Sequence, residues 1–282
     1  MTQSKNNFKG HPRLSMGRIK LVIFDLAGTT VDHGCIAPVA AFVNGFKEFG
    51  VDITIEQARG PMGMEKRAHI ETIGLMPDVA RQWHAVHGRE LEEADIDAMY
   101  HAFVPGLLKI LPENSRLIPG VIPCLQEFER RDIRFAATTG YFREATDIVL
   151  EQAKKAGFTP QVSCCATEVP EGRPEPWMIY HCMQSTGIYP PQLVVNVGDT
   201  RVDVESGRNA GVWSIGVTAS GNAVGLPEKE LAELDSDTRQ ALVKTAEDEL
   251  LAAGGHYVID TVADLPTIID NIEQRLAQGE TP

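Results

Sequence analysis

Residues 21–32 of this 282-residue chain read Leu-Val-Ile-Phe-Asp-Leu-Ala-Gly-Thr-Thr-Val-Asp. Four apolar residues lead into Asp25 and then into a Gly-Thr turn, which is typical of a buried parallel strand followed by a functional loop. Open α/β sheets bind their ligands at the carboxyl ends of the strands. We therefore expect the carboxylate of Asp25 to stand at the ligand-binding edge of a parallel sheet.

Other short apolar segments bounded by Gly, Thr or Asp alternate with helical patterns along the chain. This alternation predicts an α/β fold with a doubly wound parallel sheet of the Rossmann type. The predicted strands are Lys20–Asp25, Arg134–Thr138, Leu193–Gly198, Trp213–Val217 and Tyr257–Asp260. The predicted helices are Phe142–Gly157, Trp177–Gly187 and Asp203–Ala210, the last closed by Gly211, with extra helices packed on the core within Ser220–Gly255.

One long interruption separates the first strand from the rest of the predicted sheet. It reads as almost entirely helical, with a capping-box start at Thr54-Ile55-Glu56-Gln57 and amphipathic spacing over residues 92–111. An all-helical insert directly after the first strand predicts a cap domain over the sheet edge. The predicted division is a disordered tail of residues 1–18, a core domain of residues 19–33 and 112–282, and a helical cap domain of residues 34–111.

Charge and composition restrict the classes of function. The net charge of −13 argues against nucleic acid or an anionic membrane surface as the main partner, and no apolar stretch is long enough to span a bilayer. The five cysteines are odd in number and lack zinc-type spacing, which predicts reduced thiols and a cytoplasmic protein. In so acidic a chain, an anionic substrate needs local positive charge or a metal ion at its binding site.

Three further segments carry candidate functional residues. Asp199 and Asp203 follow a predicted strand four residues apart, which fits Mg²⁺ because this ion takes oxygen ligands. The hydroxyl of Thr139 ends another strand before a glycine, where it could hold a phosphoryl oxygen. Arg173, in a Gly-Arg-Pro loop, offers a fixed positive charge. Taken alone, the Thr-Gly turn and the arginine are also typical of structural and solvated positions.

These residues occur in the order of the motifs of the haloacid dehalogenase (HAD) superfamily, which the chain resembles. The resemblance implies that Asp25 attacks phosphorus. In the phosphatases of this superfamily a second Asp usually stands two positions later and protonates a departing oxygen. Here that position is Ala27, which implies a leaving group that is activated in another way.

The predicted cap makes the resemblance more specific. A Pro-Met-Gly turn at residues 61–63 opens a helix on which Lys66 and His69 share one face. Nearly the whole chain from Ile19 onward is similar to the phosphonoacetaldehyde hydrolases (phosphonatases), in which a cap lysine forms a Schiff base with the substrate. The matching segments include Gly34-Cys35, Thr138-Thr139-Gly140-Tyr141, Gly172-Arg173-Pro174, Pro176-Trp177-Met178 and Gly198-Asp199-Thr200.

This resemblance implies hydrolysis of the carbon–phosphorus bond of phosphonoacetaldehyde to acetaldehyde and phosphate, within phosphonate (2-aminoethylphosphonate) degradation. Lys66 would form the Schiff base, Asp25 an aspartyl phosphate, and His69 would move protons. The resemblance also implies a homodimer joined through the caps. The other implied roles are Mg²⁺ binding by Asp25, the Ala27 carbonyl and Asp199, support of the metal by Asp203, and phosphoryl or substrate binding by Thr139, Arg173, Tyr141, Met62 and Cys35.

A lysine must lose its proton before it attacks a carbonyl, so we expect a lowered pKa for Lys66, caused by burial and by the neighbouring Arg67. The simplest interpretation of the Lys66 and His69 pair is nevertheless a surface lysine beside a solvated histidine. Packing explains Met62 and Cys35 as well as a role in the site does.

Two other functions are compatible with the pattern. One is another HAD hydrolase, either a phosphomonoesterase or a dehalogenase. Ala27 argues against the first, and the Asp199/Asp203 pair with Arg173 argues against the second. The other is a non-catalytic binding protein of the same fold, which the retention of every charged position argues against.

Overall fold

A computed structural model describes residues 17–282 and contains one six-stranded sheet in which every pairing is parallel. The strand order β3-β2-β1-β4-β5-β6 places the first strand in the middle and confirms the doubly wound prediction. The predicted tail, residues 1–18, lies almost wholly outside the described residues. The strands are β1 Leu21–Asp25, β2 Arg134–Thr139, β3 Ser163–Cys165, β4 Val194–Gly198, β5 Trp213–Val217 and β6 Tyr257–Ile259.

Strand β1 is apolar up to its last residue, Asp25, because both faces of the sheet are covered. Val22 and Phe24 pack into the larger hydrophobic core, whereas Leu21 and Ile23 point to the opposite face and pack into a second one. All four side chains are fully buried. The strand that carries Asp25 is therefore fixed between two packed layers.

All the elements between β1 and β2 are helices. Those of the insert are α1 Ile36–Glu48, α2 Ile55–Arg59, α3 Lys66–Gly74, α4 Pro77–His87 and α5 Glu93–Asn114. Helix α6 (Val121–Arg130) then leads back to the sheet, and the remaining helices are α7 Arg143–Lys155, α8 Trp177–Thr186, α9 Arg201–Ala210, α10 Glu228–Glu233, α11 Ser236–Ala252 and α12 Leu265–Ala277. The segment predicted to be helical is thus helical.

Local signals place several of these helices. The Thr54 hydroxyl accepts a hydrogen bond from the Gln57 N–H, and the Gln57 side chain accepts one from the Thr54 N–H, so the predicted capping box begins α2. Helix α5 continues to Asn114, so the predicted domain boundary at residue 111 falls inside this helix. The extra helices predicted within Ser220–Gly255 are α10 and α11.

The insert packs directly on the loops at the carboxyl edge of the sheet. A side chain added at Gly140, after β2, would overlap the main chain of Gly63 and Met64 in the insert. One added at Gly63, where φ is +91°, would overlap the side chain of Thr200, after β4. The main chain can come this close to its neighbours only at a residue without a side chain, so both positions require glycine. The turn before α3 is therefore held against the strand ends.

Two sequence predictions about bulk properties can be compared with this structure. All five cysteines are free, as predicted, and all of them are buried. Among the helices of residues 17–282, none has both the length and the apolar character needed to cross a membrane.

Candidate active site

Asp25 is the last residue of β1, and its side chain is buried at the carboxyl edge of the sheet. The Thr30 hydroxyl donates a hydrogen bond of 3.0 Å to the Asp25 carbonyl, which folds the following loop back onto the strand end. One carboxylate oxygen lies 2.7 Å from Nη1 of Arg173. Burial raises the Asp25 pKa to about 7; the Arg173 charge opposes this rise, and the Asp203 charge adds to it.

Two more carboxylates surround Asp25. Oxygen atoms of Asp25, Asp199 and Asp203 all lie within 4.8 Å of one another. Asp199 accepts hydrogen bonds from the Asn222 N–H at 2.7 Å, the Thr29 hydroxyl at 3.2 Å and the Cys35 thiol at 3.4 Å. Because so many donors hold it, the Asp199 carboxylate has a fixed orientation.

Asp203 is held differently, by an ion pair at one oxygen and by hydrogen bonds at the other. Oδ1 lies 2.9 Å from Nη1 of Arg173, and Oδ2 accepts hydrogen bonds from the N–H and the hydroxyl of Thr200 at 3.1 and 2.5 Å. Thr200 is the N-cap of α9, so Asp203 belongs to a capping box. These contacts with Arg173 and Thr200 fit the predicted role of Asp203, which is to support the metal ion from outside, better than direct binding of the ion.

The acidic cluster fits a divalent cation. Three buried carboxylates face one arginine, and the pKa of Asp199 is well above its ordinary value because of burial and the charges of Asp25 and Asp203. Ionising all three carboxylates therefore calls for more positive charge beside them than Arg173 supplies. Asp25, Asp199 and the Ala27 carbonyl offer oxygen ligands of the kind Mg²⁺ takes, and within residues 17–282 no hydrogen bond is made to that carbonyl.

Arg173 links the acidic cluster to β2. Its Nη2 donates a 2.8 Å hydrogen bond to the hydroxyl of Thr138, the residue that pairs with Asp25 in the sheet register. The sequence pointed to Thr139 instead. The Thr139 hydroxyl accepts a 3.2 Å hydrogen bond from the Tyr141 N–H, and Thr139 lines the cavity beside Asp25. Both threonines are thus at the site, but only Thr138 contacts the arginine.

Lys66 is the first residue of α3 and is 3% exposed. Its Nζ lies 3.4 Å from the Met64 carbonyl oxygen and over the rings of Phe42 and Tyr141, at 5.7 and 5.1 Å from their centres. Burial lowers the Lys66 pKa to about 8, although the charges of Asp25 and Glu65 oppose this. The predicted lowering is confirmed, and the interpretation of Lys66 as a surface lysine is wrong.

The prediction that Arg67 helps to lower the Lys66 pKa is wrong. Its guanidinium forms ion pairs with Glu93 and Asp97 at the surface of the insert, the second at 2.7 Å. The cation that lowers the Lys66 pKa is Arg173, from the core. Adjacent helical residues point in different directions, so a neighbour in sequence need not share the environment of the lysine.

His69 lies one turn after Lys66 and is fully buried, not solvated. Its Nε2 donates a 2.9 Å hydrogen bond to the Ala58 carbonyl, and its ring packs 3.8 Å from the Phe42 ring. Among the described residues, Nδ1 has no hydrogen-bond partner. Burial and then the Lys66 charge hold the His69 pKa well below its ordinary value. The imidazole is therefore neutral, with a lone pair free on Nδ1.

A cavity of about 20 Å³ lies between the insert and the core, with Lys66 and Asp25 in its lining. This cavity has room for little more than one water molecule. A larger cavity of about 610 Å³ lies at the amino end of β2 and contains none of the predicted site residues. The small cavity is lined by Asp25, Ala27, Cys35, Pro38, Met62, Gly63, Lys66, Thr139, Gly140, Tyr141, Arg173, Asp199 and Thr200.

The arrangement agrees with comparisons to known proteins. The family model described as haloacid dehalogenase-like hydrolase matches residues 22–217. A phosphonoacetaldehyde hydrolase of Paraburkholderia phytofirmans is 45% identical over 267 residues, which cover 95% of this chain and all of that protein. This chain belongs to the phosphonoacetaldehyde hydrolase family. Another relative with that name, from Bacillus cytotoxicus, is 41% identical and covers 92% of this chain and 98% of its own.

Solved structures agree with this family. A phosphonoacetaldehyde hydrolase-like protein from Oleispira antarctica superposes with a TM-score of 0.93 at 38% identity, covering 95% of this chain and 97% of its own. A β-phosphoglucomutase-like protein of Bacteroides vulgatus has a TM-score of 0.66 at 18% identity, over 92% of this chain and 90% of its own. The second likeness shows the fold alone.

Sequence reasoning missed some residues of this phosphonoacetaldehyde hydrolase family site. Thr138 contacts Arg173, and the main chain of Asn222 contacts Asp199. The register of β2 against β1 would have indicated Thr138, because it aligns with Asp25. Asn222 lies in a Ser-Gly-Asn turn after β5, and the carboxyl end of that strand was the only available signal.

Proposed function

We propose that this chain hydrolyses the carbon–phosphorus bond of phosphonoacetaldehyde to give acetaldehyde and phosphate, as a step of phosphonate degradation such as that of 2-aminoethylphosphonate. The observation that carries the proposal is the common cavity of Lys66, Asp25 and Ala27. A buried amine of lowered pKa shares this cavity with a strand-end carboxylate, and Ala27 stands where a phosphatase would have its second Asp. The names of the relatives support the substrate.

The lysine supplies what the chemistry requires. A carbon–phosphorus bond does not break readily to release a free carbanion, so the departing carbon needs an electron sink. Condensation of the Lys66 amine with the aldehyde releases water and gives an imine, which is protonated on nitrogen. The electron pair of the broken bond then flows into this iminium, and the carbon departs as a neutral enamine.

His69 moves protons during imine formation. Its neutral ring has a free lone pair on Nδ1, and its other nitrogen is fixed by the Ala58 carbonyl. It can accept a proton from the attacking amine and return it to the departing water. Its place one turn from Lys66, on the same buried face, supports this role.

Asp25 attacks phosphorus in line as the carbon departs, and water then hydrolyses the aspartyl phosphate. Arg173 holds the phosphoryl group with its fixed charge, and Thr139 adds a hydroxyl beside it. Asp25, the Ala27 carbonyl and Asp199 would hold Mg²⁺, which would supply positive charge against the negative charge of the carboxylates and the phosphoryl group. Because the enamine is protonated on carbon, no departing oxygen needs a proton, which accounts for Ala27.

Substrate entry requires the insert to move. A cavity of about 20 Å³ cannot admit phosphonoacetaldehyde while Gly63 lies against Thr200. We infer opening about the two connections between insert and core, near Gly34 and within residues 112–119. The exposed apolar residues Leu75 and Val86 on the insert support the homodimer as a further proposal, which light scattering would test.

The proposal is tested by following both products from phosphonoacetaldehyde. Purified enzyme with Mg²⁺ is expected to release acetaldehyde and phosphate in equal amounts. Asp25→Asn and Lys66→Arg should each lose at least about a thousandfold in turnover, because each removes a group that forms a covalent intermediate. Faster release of phosphate from ordinary phosphate esters, with no loss in Lys66→Arg, would favour a phosphomonoesterase and reject the proposal.

A further inference from the structure

Arg59, the last residue of α2, connects the insert to the core through its guanidinium group. Nη1 donates hydrogen bonds to the Gly34 carbonyl at 2.8 Å and to the carbonyl and side-chain oxygens of Asn222 at 3.2 and 3.1 Å. Nη2 donates to the Gly225 carbonyl at 2.8 Å. A single side chain thus bonds to the connection between the domains and to the loop after β5.

Asn222 also donates hydrogen bonds, one to Arg59 and one to the acidic cluster. Its side-chain amide donates a 3.1 Å hydrogen bond to the Arg59 carbonyl, so that the two residues bind each other in both directions. Its main-chain N–H donates a hydrogen bond of 2.7 Å to Oδ2 of Asp199. The residue that holds the insert therefore also orients a carboxylate of the proposed metal site.

The other side of α2 reaches the proton-transfer residue. The carbonyl of Ala58, next to Arg59, accepts the hydrogen bond from Nε2 of His69. This bond leaves Nδ1 as the free acceptor. His69 in the insert is thus connected to Asp199 in the core through hydrogen bonds to Ala58, between Arg59 and Asn222, and from Asn222 to Asp199. Ala58 and Arg59 are adjacent in the chain.

Arg59 also lacks the partner that a half-buried guanidinium usually has. Among residues 17–282 it forms no ion pair, and its hydrogen bonds go to uncharged oxygens. A charged side chain removed from water without an opposite charge in contact is costly. The contacts it makes instead are those that join the insert to the core, which indicates a positional role.

We propose that Arg59 and Asn222 form a latch that holds the insert closed on the core and orients Asp199, which makes Arg59 a positioning residue. This inference rests on the proposed function for its kinetic consequence. When the latch is weakened, a smaller fraction of the enzyme has Lys66 beside Asp25. Closure brings the amine and the carboxylate together on bound substrate, so kcat falls in proportion to that fraction of the substrate-bound enzyme.

The kinetic test compares Arg59→Ala, Asn222→Ala and the double variant with Arg89→Ala, whose arginine pairs with Asp95 inside the insert. Asn222→Ala keeps the main-chain N–H that binds Asp199. Each latch variant is expected to lower kcat at least about fivefold, and the double variant should match the more affected single variant because both remove one link. Arg89→Ala should stay within about twofold of wild type.

Arg59→Lys, which keeps the charge but presents one donor atom instead of a fork, should fall between wild type and Arg59→Ala. An unchanged kcat with a lower melting temperature in Arg59→Ala would indicate a merely structural residue and overturn the proposal. Losses that multiply in the double variant would overturn it as well, since they would show two independent contributions.

Amide hydrogen exchange separates this inference from the proposed function, because it needs no substrate. Arg59→Ala and Asn222→Ala should each speed exchange in residues 60–69 at least about fivefold, without a change in β1 or β4. Faster exchange in an enzyme that does not turn over phosphonoacetaldehyde would leave the latch in place and reject only the proposed reaction. Unchanged exchange in both variants would overturn the latch.

Discussion

The amine of Lys66, at the start of α3, lies 5.1 Å from the centre of the Tyr141 ring, in the loop after β2. A residue of the insert thus meets a residue of the core at the cavity that Asp25 also lines. The aromatic surroundings remove water from the amine and so disfavour its charged form. Burial of one lysine therefore has consequences for both activity and stability.

The first consequence is a rising pH dependence. The Lys66 amine attacks only when unprotonated, and its pKa is about 8. With saturating Mg²⁺ to keep Asp25 ionised, kcat/KM should rise with pH and level off above about pH 8. Titration of His69 should not change kcat/KM near neutral pH, because burial keeps its imidazole uncharged there. A flat profile between about pH 6 and pH 9 would contradict a lysine nucleophile.

Replacing Lys66 by methionine should stabilise the protein while abolishing activity. The folded pKa of about 8 is below the ordinary lysine value of 10.5, so the charged lysine is penalised in the folded state. The penalty is fully present below pH 8 and disappears above pH 10.5. At pH 7 urea unfolding should show a gain of about 1–3 kcal/mol. Lys229→Met, at an exposed position, is the control and should change stability little. A destabilised Lys66→Met protein would contradict the burial argument.

Gly63→Ala should impair activity far more than its cost in stability explains. Both Gly63 and Gly88 have positive φ, at +91° and +72°, so alanine strains either backbone by roughly 1 kcal/mol. Only at Gly63 would the new methyl group meet another residue, Thr200 of the core. We expect Gly63→Ala to lose at least about tenfold in kcat/KM, with Gly88→Ala close to wild type. Equal kinetics in both variants would show that the contact is unimportant.

Metal binding should require Asp199. Mg²⁺ is expected to raise the melting temperature of the wild-type protein, since a ligand that binds only the folded state stabilises it. The shift should disappear in Asp199→Asn, which removes one charge from the cluster, and remain in Asp248→Asn, at the surface of α11. Differential scanning calorimetry with and without Mg²⁺ measures both. A shift that persists in Asp199→Asn would place the ion elsewhere.

His69→Ala should slow turnover by about a hundredfold while leaving a trappable Schiff base that forms more slowly. Because the ring packs on Phe42, the variant also creates a cavity, so melting temperature is measured beside the rate. His69→Gln keeps more volume and serves as the matched control. Wild-type turnover in His69→Ala would exclude the histidine from proton transfer.

Much of the architecture was predictable, because strands such as β1 and β5 are short apolar runs with clear ends. β3 was missed because it has only three residues, two of them cysteines. Helix α9 begins at Arg201, two residues before the predicted start at Asp203. The Thr200 capping box sets that start, and the sequence had drawn attention to Asp203 as a metal residue instead of a capping residue.

The site was predictable where a motif fixes a residue at a strand end, as at Asp25 and Asp199. Which of Thr138 and Thr139 meets Arg173 depends on strand register and side-chain alternation, and the sequence does not give these. The cation that lowers the Lys66 pKa, Arg173, comes from a distant segment, so the expectation for Arg67 was wrong. Arg59 and Asn222 are 163 positions apart, and no local pattern relates them.

The central claim is that Lys66 and Asp25 act on one substrate molecule, and mass spectrometry after borohydride reduction tests it most directly. Wild-type enzyme mixed with phosphonoacetaldehyde should retain an ethyl group on Lys66, because the carbon–phosphorus bond breaks before the imine is reduced. Asp25→Asn should retain a phosphonoethyl group on the same lysine, because phosphorus is not removed, and Lys66→Arg should retain neither. Product release by an enzyme that shows no adduct on Lys66 would contradict the account.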